Sequence, residues 1–371
     1  MVAAAVTMAV LSSARAEITI GMTLGTTGPS ASTGIPYWKV FTHLPEIVAG
    51  QHVKYILFDD AGDPTSAVRN ARKLIVEDHI DLLIASTSTP TCLAVVDVAV
   101  ENKIPQICMS PIVVPAPKQP WVFTIPQRVS VMFSAVVADM KAKGVNSIGY
   151  IGFADGWGDI CLQTIEKLAG DAGIKIVASE RYNRADTSVT AQALKIMAAR
   201  PDAIFIGASA SASALPHISL RDHGFDGPIY HTHGIIGPDF LRVGGKAVEG
   251  AIAPAGPLIV VDQLPDGSAM KQISLAFLKQ YEKTYPEVRN SFAGYAYDTF
   301  LLIQAAIPGA VAKATPGTEE FRRAMRDSLE NVKEVVGTEA VYTMSPQDHN
   351  GVDERARVLV QVKDGNFALI H

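Results

Sequence analysis

From residue 17 onward the chain alternates short, unbroken apolar runs with longer stretches of helical spacing. Runs at 18–24, 53–58, 81–85, 105–109, 147–152, 175–179, 203–207 and 228–232 predict strands. Between them, 37–48, 90–102, 157–172, 188–199 and 210–223 predict helices. A further helix opens at Asp63-Pro64, where Asp63 can cap and Pro64 loses nothing by lacking an N–H. Its residues Val68, Ala71, Leu74 and Ile75 share one face. The runs are apolar throughout rather than at every second position, as expected of sheets covered on both sides. Strand, helix, strand in succession predicts parallel pairing through right-handed crossovers, and so an α/β fold.

The last third departs from this rhythm. It predicts helices at 268–285, 291–307 and 318–329, followed by short strands near 341, 357–362 and 367–370. Those strands are too few for a domain of their own, so they must complete sheets begun earlier. With 371 residues there is material for about two domains, and the chain must cross between them more than once.

Charge and cysteine content exclude several functions. A net charge of −5 offers no basic field for nucleic acid or an anionic membrane. Cys92, Cys108 and Cys161 have no CxxC or Cys/His spacing, which removes zinc ribbons and thioredoxin-like sites. At most one disulfide can form; a bridge between Cys92 and Cys108 is open to an exported chain, and buried thiols are the reading carried forward. Residues 2–11 are uncharged and rich in Ala and Val, and Ala14-Arg15-Ala16 has the small-x-small pattern of a secretory cleavage site. A signal peptide at 1–16, cut after Ala16, is expected, the alternative being a frayed helix. No window reaches the roughly 18 apolar residues of a membrane span.

In a parallel sheet, ligands bind beyond the carboxyl ends of the strands. Four loops there are unusual: 26–34 with Ser30, Ser32 and Thr33; 86–91 with Ser86, Thr87 and Ser88; 153–158 with Phe153 and Trp157; and 231–234 with His231 and His233. Thr89 can cap the helix begun by Pro90, leaving Ser86–88 beside free N–H groups suited to a carboxylate. Ordinary turn and cap chemistry explains each loop taken alone; two lobes that both carry such loops favour binding. Catalytic motifs are missing: there is no GxSxG elbow, P-loop, HExxH or GxGxxG. His231 and His233 lie on one face if extended, but lack third and fourth metal ligands. Asp59, Asp60 and Asp63 read as capping groups and a solvated turn.

Several segments carry a family likeness. Ile20-Gly-Met-Thr-Leu24, Thr27-Gly-Pro-Ser-Ala-Ser-Thr-Gly34, Asp59-Asp60 with Asp63-Pro64 and Ala71-Arg-Lys-Leu-Ile75, Ile104-Pro105 with Ser110-Pro111, Pro201-Asp-Ala-Ile-Phe205 and Tyr295-Ala-Tyr-Asp298 occur in order. The mature chain resembles the Leu/Ile/Val-type substrate-binding proteins of ABC importers. That resemblance implies the type I periplasmic binding protein fold, two Rossmann-like lobes joined by three crossovers with a ligand cleft between. Lobe 1 would comprise 17–127 and 256–342, lobe 2 128–255 and 343–371, with crossovers near 126–129, 253–256 and 342–345. It implies a periplasmic location, a monomer, ABC permease subunits as partners, and neither cofactor nor catalysis.

Carried over by position, the α-carboxylate contacts fall on Thr87, Ser88 and the stretch 110–114, including Ser110 and Val113. The lobe 2 aromatic falls on Trp157, and Ser209 joins the same lobe's candidates. Amino-acid binders pair the ligand's ammonium with an acid at the position occupied here by His233. A buried charge left without its partner costs about 3–5 kcal/mol, so α-amino acids are disfavoured. Ile112, Val113 and Val114 add an apolar wall. The departures resemble the branch that takes up aromatic acids of benzoate or phenylpropenoate type, with the carboxylate at 86–88 and a phenol or methoxy group near His231 or His233. Branched-chain amino acids or amides, or a ligand-sensing regulator of the same fold, are the alternatives.

Overall fold

The computed structural model describes residues 17–286 and 289–370; the expected signal segment 1–16 lies outside them. The first sheet holds β1 (Ile18–Leu24), β2 (Ile47–Val48), β3 (Gln51–Asp59), β4 (Leu82–Ala85), β5 (Gln106–Cys108) and β6 (Val122–Thr124), in the order β2-β3-β1-β4-β5-β6. All neighbours are parallel except the β2–β3 pair. Around this sheet pack α1 (Ala31–Phe41), α2 (Pro64–Val76) and α3 (Thr89–Glu101).

Residues 129–255 build the second sheet through β7 (Ser147–Phe153), β8 (Lys175–Tyr182), β9 (Ala203–Gly207), β10 (Ile229–His231) and β11 (Ile252–Ala255). Their helices are α4 (Val129–Ala142), α5 (Gly156–Asp171), α6 (Thr190–Ala198), α7 (Ala214–Asp222) and α8 (Pro238–Gly244). The chain then returns to the first lobe with α9 (Ala269–Tyr281), α10 (Ser291–Val311), α11 (Glu319–Glu330) and the small hairpin of β12 (Val335–Val336) and β13 (Val341–Tyr342). Finally β14 (Val358–Lys363) and β15 (Asn366–Leu369) add antiparallel strands beside β11, giving the order β15-β14-β11-β10-β9-β7-β8. Each sheet therefore has its own apolar core, and the C-terminal strands complete a sheet begun more than a hundred residues earlier.

Two boundaries differ from those expected. The third crossing comes after Ala356, not at 342–345, because Met344, Val352 and Ala356 are buried in the first lobe's core. The intervening segment is fastened to the edge of that lobe: Asn350 Nδ2 donates to Thr124 O (2.7 Å) and Pro126 O (3.0 Å), and the His349 ring stacks on Phe123 at 4.1 Å. The first helix also starts earlier, at Ala31, so half of the loop read as 26–34 is helical. Gly34 allows this, since a Cβ there would stand 2.0 Å from Gly25 O.

Gln127 ties the first crossing to the end of the first lobe. Its Nε2 donates to Glu339 O (3.0 Å) and Ala356 O (3.2 Å), and its Oε1 accepts from the Tyr295 hydroxyl (2.5 Å). Cys92 of α3 and Cys108 of β5 form a disulfide, with Cα atoms 6.0 Å apart, so the expectation of three thiols is corrected; Cys161 alone is free, and buried.

Candidate ligand-binding cleft

The carboxyl ends of the two sheets face each other, and the starts of α3 and α5 abut: a Cβ on Gly156 would lie 3.4 Å from Thr89 Cγ2 and 3.6 Å from Leu93 Cδ1. Between them lies a cavity of about 40 Å³. The first lobe contributes Thr33, Tyr37, Thr87, Ser88, Met109, Ser110, Pro111, Phe292 and Tyr295, with Pro126 at the first crossing. From the second come Trp157, Arg184, Ser209, His233 and Gly234. Among these lining residues Arg184 is the one formal charge, and none is acidic.

Of the residues singled out from the sequence, Thr33, Thr87, Ser88, Ser110, Trp157, Ser209 and His233 meet in this cavity. The others do not. Ser86 is fully buried and donates to Asp60 Oδ2 (2.6 Å), which also accepts from Thr23 Oγ1 (3.0 Å). Asp60 is thus an interior carboxyl, its pKa raised by burial, rather than part of a solvated turn. Asp59 and Asp63 do cap, accepting from Thr26 N (2.8 Å) and Ser66 N (2.7 Å) respectively. Ser30 lies at one rim with Gly62 and Asn183, and Ser32 at the other with Ile35 and Phe240. Val113 is 73% exposed, and with Ile112 and Val114 it lines a separate cavity beyond Pro111. The cleft's apolar wall comes instead from Met109, Pro111, Tyr37 and Phe292.

His231 faces away from the cleft. Its Nε2 pairs with His217 Nδ1 (2.8 Å) and its Nδ1 with Ser213 Oγ (3.0 Å). Burial, then the neighbouring His217, holds it well below the ordinary imidazole range. His231 and His233 do not share a face because the strand ends at His231 and a 3-10 turn over His233–Ile235 re-aims the chain. Thr232 fixes that turn, its Oγ1 accepting from Gly234 N (3.0 Å) and donating to Ala208 O (2.6 Å). His233 itself is buried, its Nδ1 has no partner among the described residues, and burial lowers its pKa to about 4, so it is neutral at pH 7. Its ring meets Trp157 edge-on at 5.7 Å. Among the described residues no cluster of three or more His, Cys, Asp or Glu is arranged to hold a metal.

The cap of α3 is Ser88, not Thr89: Ser88 Oγ accepts from Thr91 N (3.4 Å) and Ser88 N donates to Thr91 Oγ1 (3.3 Å). In the second lobe Asp155 caps α5, Oδ1 accepting from Trp157 N (2.9 Å) and Gly158 N (3.2 Å), which seats Trp157 at the cleft wall. Asp155 Oδ2 also receives Arg184 Nε at 2.6 Å, and the guanidinium lies 4.1 Å over the Phe153 ring. Phe153 therefore supports the cleft from beneath rather than lining it. Sequence reasoning missed Arg184, which stands just past the carboxyl end of β8; a cation beyond that strand end was the available signal.

A family model described as "Periplasmic binding protein" matches residues 17–366. The chain belongs to that family. It has the type I periplasmic binding fold. An extracellular ligand-binding receptor from Rhodopseudomonas palustris is 38% identical, with a TM-score of 0.94 over 96% of this chain and all of that one. The Leu/Ile/Val-binding protein homolog 3 of Brucella melitensis is 27% identical over 266 residues, 68% of this chain and 70% of that protein. A solute binding protein of an ABC transporter from Rhodopseudomonas palustris BisB5, solved with 3,4-dihydroxy benzoic acid, has a TM-score of 0.78 at 20% identity, covering 95% of this chain and 96% of that one. The Brucella relative is named for the Leu/Ile/Val type, and the family is one of periplasmic binding proteins.

Proposed function

We propose that this protein captures a small carboxylate without an α-ammonium, an aromatic acid of benzoate or phenylpropenoate type, and delivers it to the permease of an ABC importer. The observation that carries this is the absence of any acidic side chain among the cleft's lining residues, with neutral His233 where an amino-acid binder would place one. An ammonium buried there would lack a counter-charge. Asp155, beside the cleft, has one oxygen on the start of α5 and the other on Arg184. Trp157, Tyr37 and Phe292 offer an aromatic slot between the lobes. Function is closure without chemistry: a ligand touching both walls stabilises the closed arrangement of a molecule that also opens.

The export signal at 1–16 and a monomeric state complete the proposal, which requires no cofactor or nucleic acid. The second reading, a branched-chain amino acid, is favoured by the name of the Brucella relative and needs another way to neutralise the ammonium. A thermal-shift screen separates the two, because ligand at a hundred times its Kd adds about 2.7 kcal/mol of stability. Aromatic acids should raise the melting temperature and leucine should not; a shift with leucine and none with any aromatic acid overturns the proposal.

A further inference from the structure

Hydrogen bonds inside the first lobe consume most of the side-chain hydroxyl donors that were expected to hold a carboxylate. Thr91 Oγ1 donates to Ser88 O (2.9 Å), so Ser88 supplies the hydrogen in its 2.8 Å pair with Thr91. Thr89 Oγ1 likewise donates to Pro111 O (2.8 Å), which makes Ser110 the donor in its 2.9 Å pair with Thr89. The hydroxyls of Thr33, Tyr37 and Tyr295 donate to Ser30 O, Met109 O and Gln127 Oε1. Of the hydroxyls on this wall only Thr87, whose Oγ1 accepts from Gly25 N, keeps a hydrogen with no partner among the described residues. A carboxylate is acceptor-only and needs several donors at once. One free hydroxyl leaves this wall short of side-chain donors.

The second lobe is arranged the opposite way. Arg184 spends Nε on Asp155 and one Nη1 hydrogen on Ser209 Oγ at 3.4 Å, leaving Nη2 without a protein partner among the described residues. Ser209, accepting from Arg184, keeps its own hydrogen. The Trp157 indole N–H is buried in the same cavity and has no partner among the described residues. Asp155's charge also rests on the start of α5, so it does not spend itself on Arg184 alone. A planar guanidinium with a free edge is the geometry that grips a carboxylate through charge-assisted bonds.

We propose that Arg184, with Ser209 and the Trp157 N–H, holds the ligand's carboxylate on the second lobe, so that its apolar body rests on Tyr37, Met109 and Phe292 of the first. The acid group is then reversed relative to the first-lobe position expected from the sequence. This rests on the carboxylate reading above and adds which wall recognises it.

The test crosses a change in the protein with a change in the ligand. Wild type and Arg184→Gln are titrated calorimetrically with 3,4-dihydroxybenzoate and with the corresponding amide, which has the same shape and no charge. Wild type should prefer the acid by about tenfold or more, and Arg184→Gln should lose that preference while still binding the amide. A general loosening of the cleft would weaken both ligands equally and leave the preference intact, which overturns the assignment. So does a preference abolished by Thr87→Val and retained in Arg184→Gln. Silence of folded wild type towards this and every other aromatic acid would instead refute the carboxylate reading itself. Should Arg184→Gln not fold, a crystal structure of wild type with the acid decides: carboxylate on Arg184 Nη2 supports the assignment, and carboxylate on Thr87 overturns it.

Discussion

Acidification should weaken ligand binding through His233, because closing the lobes buries an imidazole that opening exposes. With the lobes abutting as they do here, burial lowers its pKa to about 4 from the ordinary 6.5. Closure must therefore expel a proton whenever the open form carries one. The sign follows from linkage: a base whose pKa falls on closure opposes closure below its open-state pKa. If opening restores the ordinary imidazole value of about 6.5 from the buried value of about 4, the apparent affinity at pH 5.5 should be about tenfold lower than at pH 7.5. Benzoate-type ligands stay largely ionised over that range. Calorimetry at the two pH values, repeated in buffers of different ionisation enthalpy, measures both the change in affinity and the proton released. His233→Phe keeps a ring against Trp157 and removes the proton, so its affinity should be flat with pH. Affinity unchanged or rising on acidification of wild type refutes the reasoning; a rise would mean that the ligand's negative charge sits against His233 and not at Arg184.

Other consequences can be checked directly. Of the three tryptophans, Trp157 alone lines the cleft, so ligand-induced change in intrinsic fluorescence should vanish in Trp157→Phe; a signal that survives places the ligand elsewhere. Gly158→Ala would set a Cβ 1.9 Å from Phe153 O, forcing the start of α5 to move by about an ångström, with a loss of roughly 1–3 kcal/mol in denaturant unfolding and weaker binding. Thiol titration of the denatured, unreduced protein should count one cysteine rather than three, and Cys92→Ala with Cys108→Ala should cost about 3 kcal/mol of stability.

The architecture was legible because its strands are apolar throughout and its helices carry an apolar stripe, signals that depend on local sequence. Where the chain crosses between lobes was less so. The third crossing is set by Asn350 finding partners more than two hundred residues away in sequence and by Met344 and Val352 joining the first lobe's core, and no local pattern announces that. The cleft was half legible for a similar reason. A loop rich in hydroxyls marks the end of a strand but not where each hydroxyl turns. Ser86 is drawn inward by the buried carboxyl of Asp60, and Ser110 is committed to Thr89. His231 and His233 fall on different sides because the strand stops between them. Arg184 belongs to no motif; its role comes from lying over Phe153 beside Asp155, a juxtaposition made by two separate segments.

The central claim is that the two lobes close on an anion and have nothing to offer an ammonium. A matched pair of ligands tests it most directly: phenylalanine and 3-phenylpropanoate differ only in that group. Calorimetric titration of the folded protein at pH 7.5 should find the plain acid bound at least about a hundredfold more tightly. Tighter binding of phenylalanine would contradict the account, since it would require a counter-charge that the cleft's lining residues do not contain.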